Sequence, residues 1–358
     1  MNTMVRVGIS LAGCTTLRLG GLAARFVLGE QSRDVVEVVR AADAADEPLL
    51  VLGAGSNLVI GDHGFDGTVL RIATSGRGCD RLGDGLVQLT VEAGENWDET
   101  VAWTVAEGLG GLECLSGIPG LVGATPVQNV GAYGVETADA LISVDLLDRR
   151  SGQVRTVRAD ALGLAYRTSV LKGTDSAVVL RARFSLRDGG ASAPIRYAEL
   201  ARLLGVAVGD RVPAGEARQA VLDLRSAKGM VLDPADHDTW SAGSFFTNPV
   251  ISDAELPAVL LRAQSVLRPE ETMPSWPGGI GRTKLSAGWL IERAGFPRGH
   301  AGAGGRVALS SRHTLALTNQ GGASTEDLLN LAREVCAGVR AAFGVELHPE
   351  PVFVNCAL

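Results

Sequence analysis

Gly53-Ala-Gly-Ser-Asn57, running into Leu58-Val-Ile60, is the first of two glycine-rich segments on which the fold turns. The second begins Ser116-Gly-Ile-Pro-Gly120 and continues through Gln128-Asn-Val-Gly-Ala-Tyr-Gly134. Both are poor in charge. Glycine admits positive φ and lets a ligand approach the backbone closely. Runs of exposed N–H groups form concave nests for anions such as a diphosphate. Either loop alone reads equally as a tight turn in a small-residue sheet. Together they imply one large nucleotide cofactor between them. A P-loop needs Gly-x4-Gly-Lys-Ser/Thr, which the chain lacks. A dinucleotide fingerprint needs Gly-x-Gly-x-x-Gly, but Gly53-x-Gly55 is followed by Asn57-Leu58.

The chain has 358 residues, a length that predicts two or three domains. Its net charge of −7, without a basic tail or stripe, argues against a nucleic-acid partner. Cys14, Cys79, Cys114, Cys336 and Cys356 are odd in number and contain no Cys-x-x-Cys pair. That usage predicts free thiols in a reducing, cytoplasmic setting. The five histidines show no ligand spacing, and no metal is expected. Leu11-Ala-Gly-Cys14 imitates a lipoprotein box, but the apolar stretch before it is too short for a signal segment. No run approaches the roughly 20 apolar residues that span a membrane, so no membrane association is expected.

Apolar spacing predicts a helix over 34–45, with Val35, Val38, Val39 and Ala42 on one face. Leu49–Leu52 reads as a buried strand ending in the first glycine segment, and 67–73 as another. A second unit opens with strand 86–93 and a helix capped by Asn96, with Glu99 completing a capping box. Strands over 142–147 and 178–186 and helices over 195–204 and 214–227 complete it. The polar stretch 234–240 predicts a boundary. Beyond it come a helix over 285–294, a strand over 314–319, a helix over 325–343 ended by Gly344, and a last strand over 351–354.

The order of residues in both glycine segments resembles the flavin-binding fold of the vanillyl-alcohol-oxidase superfamily. Within it, residues from about Thr16 to Val354 resemble the UDP-N-acetylenolpyruvoylglucosamine reductase family of peptidoglycan synthesis. The resemblance implies an α+β, three-domain flavoprotein: a vanillyl-alcohol-oxidase-like FAD-binding fold plus a substrate-binding α/β domain. Residues 15–75 with 345–358 form the first FAD-binding subdomain, 76–236 the second with a lid, and 237–344 the substrate domain. FAD is expected to be noncovalent, because the first segment carries Ser56-Asn57 and neither His nor Cys. Its contacts are expected from Gly53, Ala54, Gly55, Ser56, Asn57 and Leu58. Further contacts come from Ser116, Gly117, Ile118, Pro119, Gly120, Gly123 and Ala124. Gln128, Asn129, Gly131, Ala132, Tyr133 and Gly134 continue the set, and Arg225 reaches the polar edge of the flavin.

The catalytic residues implied are Arg167, Ser244 and Glu350. Ser244 alone is a serine in a turn. Within Ala242-Gly-Ser-Phe-Phe-Thr-Asn-Pro249 it resembles the serine that gives a proton to a substrate carbanion. Arg167, in Tyr166-Arg-Thr-Ser169, can make a charge-assisted contact to a carboxylate. Glu350 matches a C-terminal glutamate, although Pro351 stands where the family usually has Val. To act near developing negative charge it must carry or share a proton, which requires burial. Tyr166, Lys228, Asn248, Trp276, Lys284, Arg298 and His313 are the implied substrate contacts; Trp276 replaces a usual Tyr and His313 a usual Gln. Tyr197 resembles the tyrosine of the subtype with a mobile lid, hinged here at Gly189-Gly190.

The resemblance implies that NADPH reduces the flavin, which then reduces a UDP-sugar enolpyruvyl ether, and that the protein is a monomer. Two rivals are a different FAD enzyme of alcohol-oxidase type on the same fold and a non-catalytic flavin-binding module. Arg167, Ser244 and Glu350 as a set argue against both.

Overall fold

A computed structural model describes residues 4–267 and 270–358 of the chain. The described residues divide into two compact units. The first comprises the chain up to Ile9, Leu22–Gly55 and Phe65–Val231; the second comprises Ser10–Gly21, Ser56–Gly64 and Leu232–Leu358.

The first unit holds two sheets. A four-stranded sheet runs in the order Val5–Ser10, Leu22–Gly29, Phe65–Ile72, Leu49–Leu52. Leu22–Gly29 and Leu49–Leu52 both lie parallel to Phe65–Ile72. The connection between them is helix α1, Ser32–Ala44, which buries Val35, Val36, Val39 and Ala42. Parallel strands need such a crossover, and their buried pairing suits an apolar run such as Leu49-Leu-Val-Leu52. The first glycine segment starts just beyond the carboxyl end of that strand, the usual ligand end of a parallel sheet.

The second sheet of this unit is antiparallel, in the order Gln153–Arg158, Leu141–Asp148, Ala177–Arg187, Leu86–Glu92, Arg77–Gly83. Leu86–Glu92 alternates strictly between buried and half-buried residues, the period of a strand with one face on a core. Helix α2, Trp97–Ala106, begins where Asn96 Oδ1 accepts the Glu99 N–H at 3.1 Å. The short α3, Thr125–Gln128, lies inside the second glycine segment and ends at Asn129, which is left-handed. Helices α4, Ala198–Leu204, and α5, Ala214–Ala227, complete the unit and pack on each other.

The second unit contains α6, Leu256–Ala263, α7, Ala287–Arg293, and α8, Thr325–Phe343. Ser324 and Asp327 form a full capping box at the start of α8, and Gly344 ends it with φ +72°. Leu328, Ala332, Val335, Val339 and Phe343 face a core shared with Phe245, Phe246, Leu290 and Ile291. The C-terminal strand Val352–Val354 runs parallel to Leu58–Ile60, immediately after the first glycine segment. No helix among the described residues is long and apolar enough to cross a membrane.

Several element ends differ from the sequence expectation. The helix expected over 195–204 starts at Ala198, because Ile195 is committed as an extended residue: its N–H donates to Asp210 O, and its carbonyl accepts from Gly209. The helix expected over 285–294 starts at Ala287, since Leu285 closes the strand Arg282–Leu285 and Ser286 Oγ caps the helix at Trp289 N–H. The strand expected over 314–319 is only Leu317–Asn319, because a turn from His313 O to the Ala316 N–H occupies its first half.

Candidate active site

In the first unit the second glycine segment is not a bare nest of N–H groups. The Gly123 N–H donates to Ala93 O, Val122 to Glu95 O and Ala124 to Leu121 O. A Cβ on Gly123 would meet that of Ala93 at 2.6 Å, so this glycine serves helix-to-strand packing. Ser116 is fully buried and its Oγ donates to Glu113 O. Asn129 is fully buried too, with its amide spent on Glu136, Ala165 O and the Ala138 N–H. These residues shape the segment; their side chains are committed inside the protein.

Other positions have no such internal explanation. Gly53 has ordinary φ, and a Cβ there would touch only Leu121, at 3.9 Å. The chain's own packing therefore does not require glycine, whereas a ligand lying on the backbone would. Gly120 and Gly134 have φ of +155° and +80°, and Tyr133 and Asn129 are left-handed as well. Burial pushes the Tyr133 phenol up to about 12, so it remains a neutral hydroxyl that can donate.

Arg225, at the end of α5, is the strongest sign of an absent anion or carbonyl. Its Nη2 donates to Met230 O at 2.7 Å. Its Nε is sealed from solvent and has no hydrogen-bond partner among the described residues. Burial works against its charge, with Tyr133 and Asp98 only partly offsetting it and Arg167 opposing it. A guanidinium cannot escape by losing its proton. An unpaired buried donor of this kind costs about 1–3 kcal/mol, more when charged, until something accepts from it. The Nε lies 3.3 Å from where a Gly117 Cβ would sit, against the glycine segment itself. The open Gly53 and the orphaned Arg225 fit the phosphate- and carbonyl-rich body of FAD.

Gly117, with φ +70°, is clamped from below. Its N–H donates to Asp98 Oδ1 at 2.6 Å, and Arg218 grips both Asp98 oxygens at 2.6 and 3.0 Å. Burial alone would raise the Asp98 carboxyl, but these hydrogen bonds outweigh it and hold it below the ordinary carboxylate value. A lowered folded value means that the clamp is fully present above about pH 3.9 and weakens as pH falls below that. Asp98→Ala should lower stability by about 1–3 kcal/mol, because the half-buried Arg218 loses its partner. Flavin release should rise with it, measured by fluorescence after gel filtration. Unchanged flavin retention would show that the clamp does not set the loop. Sequence reading missed Asp98 and Arg218, which stand 120 positions apart with no local signal of their pairing.

Arg167 occupies a tight turn closed by reciprocal bonds between Ala165 and Thr168, both 3.1 Å. Its φ is +56°, at the turn position where type II geometry favours glycine or asparagine. Arginine is a poor choice for the turn itself, and such strain collects at functional sites. Its guanidinium stacks on Tyr166 at 5.4 Å, and its Nη1 lies 3.0 Å from a Cβ built on Gly131. Thus Arg167 and Tyr166 lie beside the second glycine segment. Tyr197 lies there too, edge-on to Tyr133 with ring centroids 5.4 Å apart, and 40% exposed. A Cβ on Gly134 would collide with Arg196 at 2.8 Å, so only glycine lets the 195–204 segment lie this close. Lys228 pairs with Glu199 of α4 at 3.1 Å.

In the second unit Ser244 follows Gly243, whose φ is +74°. The next residue, Phe245, is fully buried and anchored on both sides. Its N–H donates to Leu315 O at 2.7 Å, and its carbonyl accepts the Glu350 N–H at 2.9 Å. Phe246 bridges to Pro349. Phe245 turns into the core, and Ser244 is left against the 310–316 turn. Its Oγ lies 3.3 Å from His313 Nε2. Glu350 is half-buried, and Val352, two residues on, donates to Asn57 O of the first glycine segment. Pro351 therefore does not prevent the pairing on either side of it.

The remaining candidates are spread over this unit. Asn248 Oδ1 accepts the Ala287 N–H at 3.0 Å. Trp276 and Lys284 are cross-strand partners in a hairpin, and Trp276 is 47% exposed. Arg298 is exposed and pairs with Glu292 at 3.3 Å, apart from that hairpin.

Residues 23–158 match the model of an FAD-binding domain, and residues 233–354 that of the C-terminal domain of UDP-N-acetylenolpyruvoylglucosamine reductase. The UDP-N-acetylenolpyruvoylglucosamine reductase of Saccharopolyspora erythraea is 67% identical over 351 residues, covering 98% of this chain and 96% of the relative. That of Thermobifida fusca is 52% identical, with both chains covered in full. The crystal structure of the Thermus caldophilus reductase superposes with a TM-score of 0.66 at 26% identity, covering 98% of this chain and all of that one.

Proposed function

The chain belongs to the UDP-N-acetylenolpyruvoylglucosamine reductase family, and from that premise we infer that it reduces UDP-N-acetylglucosamine enolpyruvate to UDP-N-acetylmuramate with NADPH, through noncovalent FAD, for peptidoglycan synthesis. The observation that supports this reading within the molecule is Ser244, which stands between a positive-φ glycine and Phe245, whose backbone bonds run to Leu315 and Glu350. An alcohol oxidase has no use for such a proton donor.

FAD, when bound, would supply the hydride-transfer chemistry between NADPH and the enolpyruvyl group. The protein's own residues do the rest. Arg225 neutralises the polar edge of the cofactor. Arg167 holds the substrate carboxylate by charge-assisted bonds, and Glu350, sharing a proton, polarises the same group. Ser244 Oγ–H gives its proton to the carbon next to the carboxylate. Lys228, Lys284 and Arg298 are cations for the diphosphate, with Trp276, Asn248, Tyr166 and His313 as further contacts. On this reading the functional division is residues 15–75 with 345–358, then 76–236, then 237–344. The same reading makes the protein a cytoplasmic monomer that serves cell-wall biogenesis, and through it cell shape and division.

An anaerobic titration tests the assignment. The yellow protein should be bleached by NADPH and its colour restored by the enolpyruvyl nucleotide, but not by simple alcohols. Recovery with alcohol acceptors and none with the nucleotide would overturn it.

The segment bearing Tyr197 acts as a lid. Its Lys228–Glu199 pair is half-exposed and its Tyr197–Tyr133 contact is a single edge-on ring pair, both of which a diphosphate can replace. Tyr197→Phe should weaken nucleotide binding by up to about tenfold, the effect of one hydrogen bond, and leave reduction by NADPH unaltered. Loss of flavin from this variant would place the tyrosine in the cofactor site instead.

A further inference from the structure

His313 is held with more care than a peripheral substrate contact requires. Ser310 Oγ accepts the N–H groups of Arg312 and His313 at 3.1 and 3.2 Å. The same Oγ donates to Asp238 at 3.0 Å, and Asp238 also accepts from the Ser311 N–H and from Arg312 Nε, each at 3.0 Å. Arg312 pairs in addition with Asp236. On the other side, Leu315 O takes the Phe245 N–H, which fixes the serine segment to this same turn. The result is a histidine nitrogen braced 3.3 Å from Ser244 Oγ.

We propose that His313 is the positioning residue for the proton donor: its Nε2–H donates to Ser244 Oγ and so aims the serine's own proton at the reacting carbon. This rests on the reading of Ser244 as the donor. A hydroxyl has one proton and two lone pairs. Were Nε2 the acceptor, the serine proton would point at the ring, away from substrate, and Oγ would become more basic. That arrangement suits a nucleophile, and here an acid is needed. With Nε2–H as donor, one lone pair is filled and the Oγ–H is left for the substrate. The bond that breaks is Oγ–H and the bond that forms is C–H. The electron pair stays on Oγ, where the Nε2–H bond stabilises it, until water reprotonates it after product leaves. Donors placed where charge develops gain strength in this way.

The test is a double-mutant cycle between His313 and Ser244, read in the two half-reactions separately. His313→Ala should slow the limiting rate of reoxidation by the enolpyruvyl nucleotide about 10²-fold, the effect of losing one donor to a developing oxyanion. Flavin content and reduction by NADPH should not change, and the nucleotide Kd of the oxidised enzyme, measured by fluorescence, should rise far less than the rate falls, by no more than the roughly tenfold of one lost hydrogen bond. His313→Gln keeps a side-chain N–H and should recover most of the rate. In a Ser244→Ala background, His313→Ala should add nothing, because the two act through one group. A full additive loss there would overturn the proposal. So would a raised Kd with an unchanged limiting rate, which describes a substrate contact alone. Should the alanine variant fold poorly, the same cycle with His313→Leu, which keeps the bulk, decides it. A wild-type enzyme that the nucleotide does not reoxidise would instead overturn the reaction assignment, so that control separates the two failures.

Discussion

Ser244→Ala is expected to bind FAD normally, to be reduced by NADPH at the normal rate, and to pass the hydride on about 10²–10⁴-fold more slowly, the usual contribution of a positioned general acid. The separation follows from when the hydroxyl acts. No proton is needed from Ser244 while NADPH reduces the enzyme. One is needed when negative charge appears beside the substrate carboxylate. The fold makes the substitution clean. Phe245 carries the backbone bonds to Leu315 and Glu350, and Ser244 contributes only its side chain. Alanine therefore keeps the backbone brace and removes the proton. Ser244→Cys should retain more activity, because a thiol can still donate. Anaerobic stopped-flow absorbance follows both steps in one instrument. A second half-reaction that runs at the wild-type rate in the alanine variant would remove the serine from the chemistry.

Arg225→Met is expected to produce a folded protein that has largely lost its flavin. The guanidinium is buried, its Nε has no hydrogen-bond partner among the described residues, and burial works against its charge. Truncating one side of a buried charge-assisted contact costs about 2–5 kcal/mol, and at 1.4 kcal/mol per decade this is about 30-fold to several-thousand-fold in FAD affinity. The apoprotein should respond differently. It loses one hydrogen bond to Met230 O, and it also loses a cation that burial penalises. These effects oppose each other, so the thermal midpoint without FAD should move little. That divergence between cofactor affinity and apoprotein stability is the signature of a ligand-directed arginine. Unaltered FAD affinity with a lowered midpoint would make Arg225 a structural residue. Calorimetric titration of the apoprotein and thermal unfolding measure the two quantities independently.

The elements with a strong internal period were legible from the residues. Helix α8 shows its apolar stripe and its Gly344 stop in sequence, and it folds over Thr325–Phe343 as expected. Strand Leu86–Glu92 and helix α5 were equally legible. Exposed edges were not. Arg77–Gly83 is exposed at every residue and is a strand only because Leu86–Glu92 lends it partners. The hairpin Ser275–Gly279 with Arg282–Leu285 contains Pro277 and three glycines, which by local preference argue against a strand.

The site divides along the same line. The order of small residues in the two glycine segments, and the string around Ser244, carry the cofactor class and the reaction class in the sequence itself. Glycine is the residue most at ease at the φ of +70° and +74° that Gly117 and Gly243 adopt. Which side chains stand beside those segments is a long-range matter. Asp98 takes the Gly117 N–H directly and is itself held by Arg218, 120 residues away. Arg167 reaches Gly131, Arg225 reaches Gly117, and His313 reaches Ser244 across 69 residues. None of these pairings has a local period or spacing to betray it, because each is fixed by the packing of whole elements. The sequence alone determined the chemistry on offer; the tertiary structure decided which glycines stay open, which are closed by packing, and which histidine stands beside Ser244.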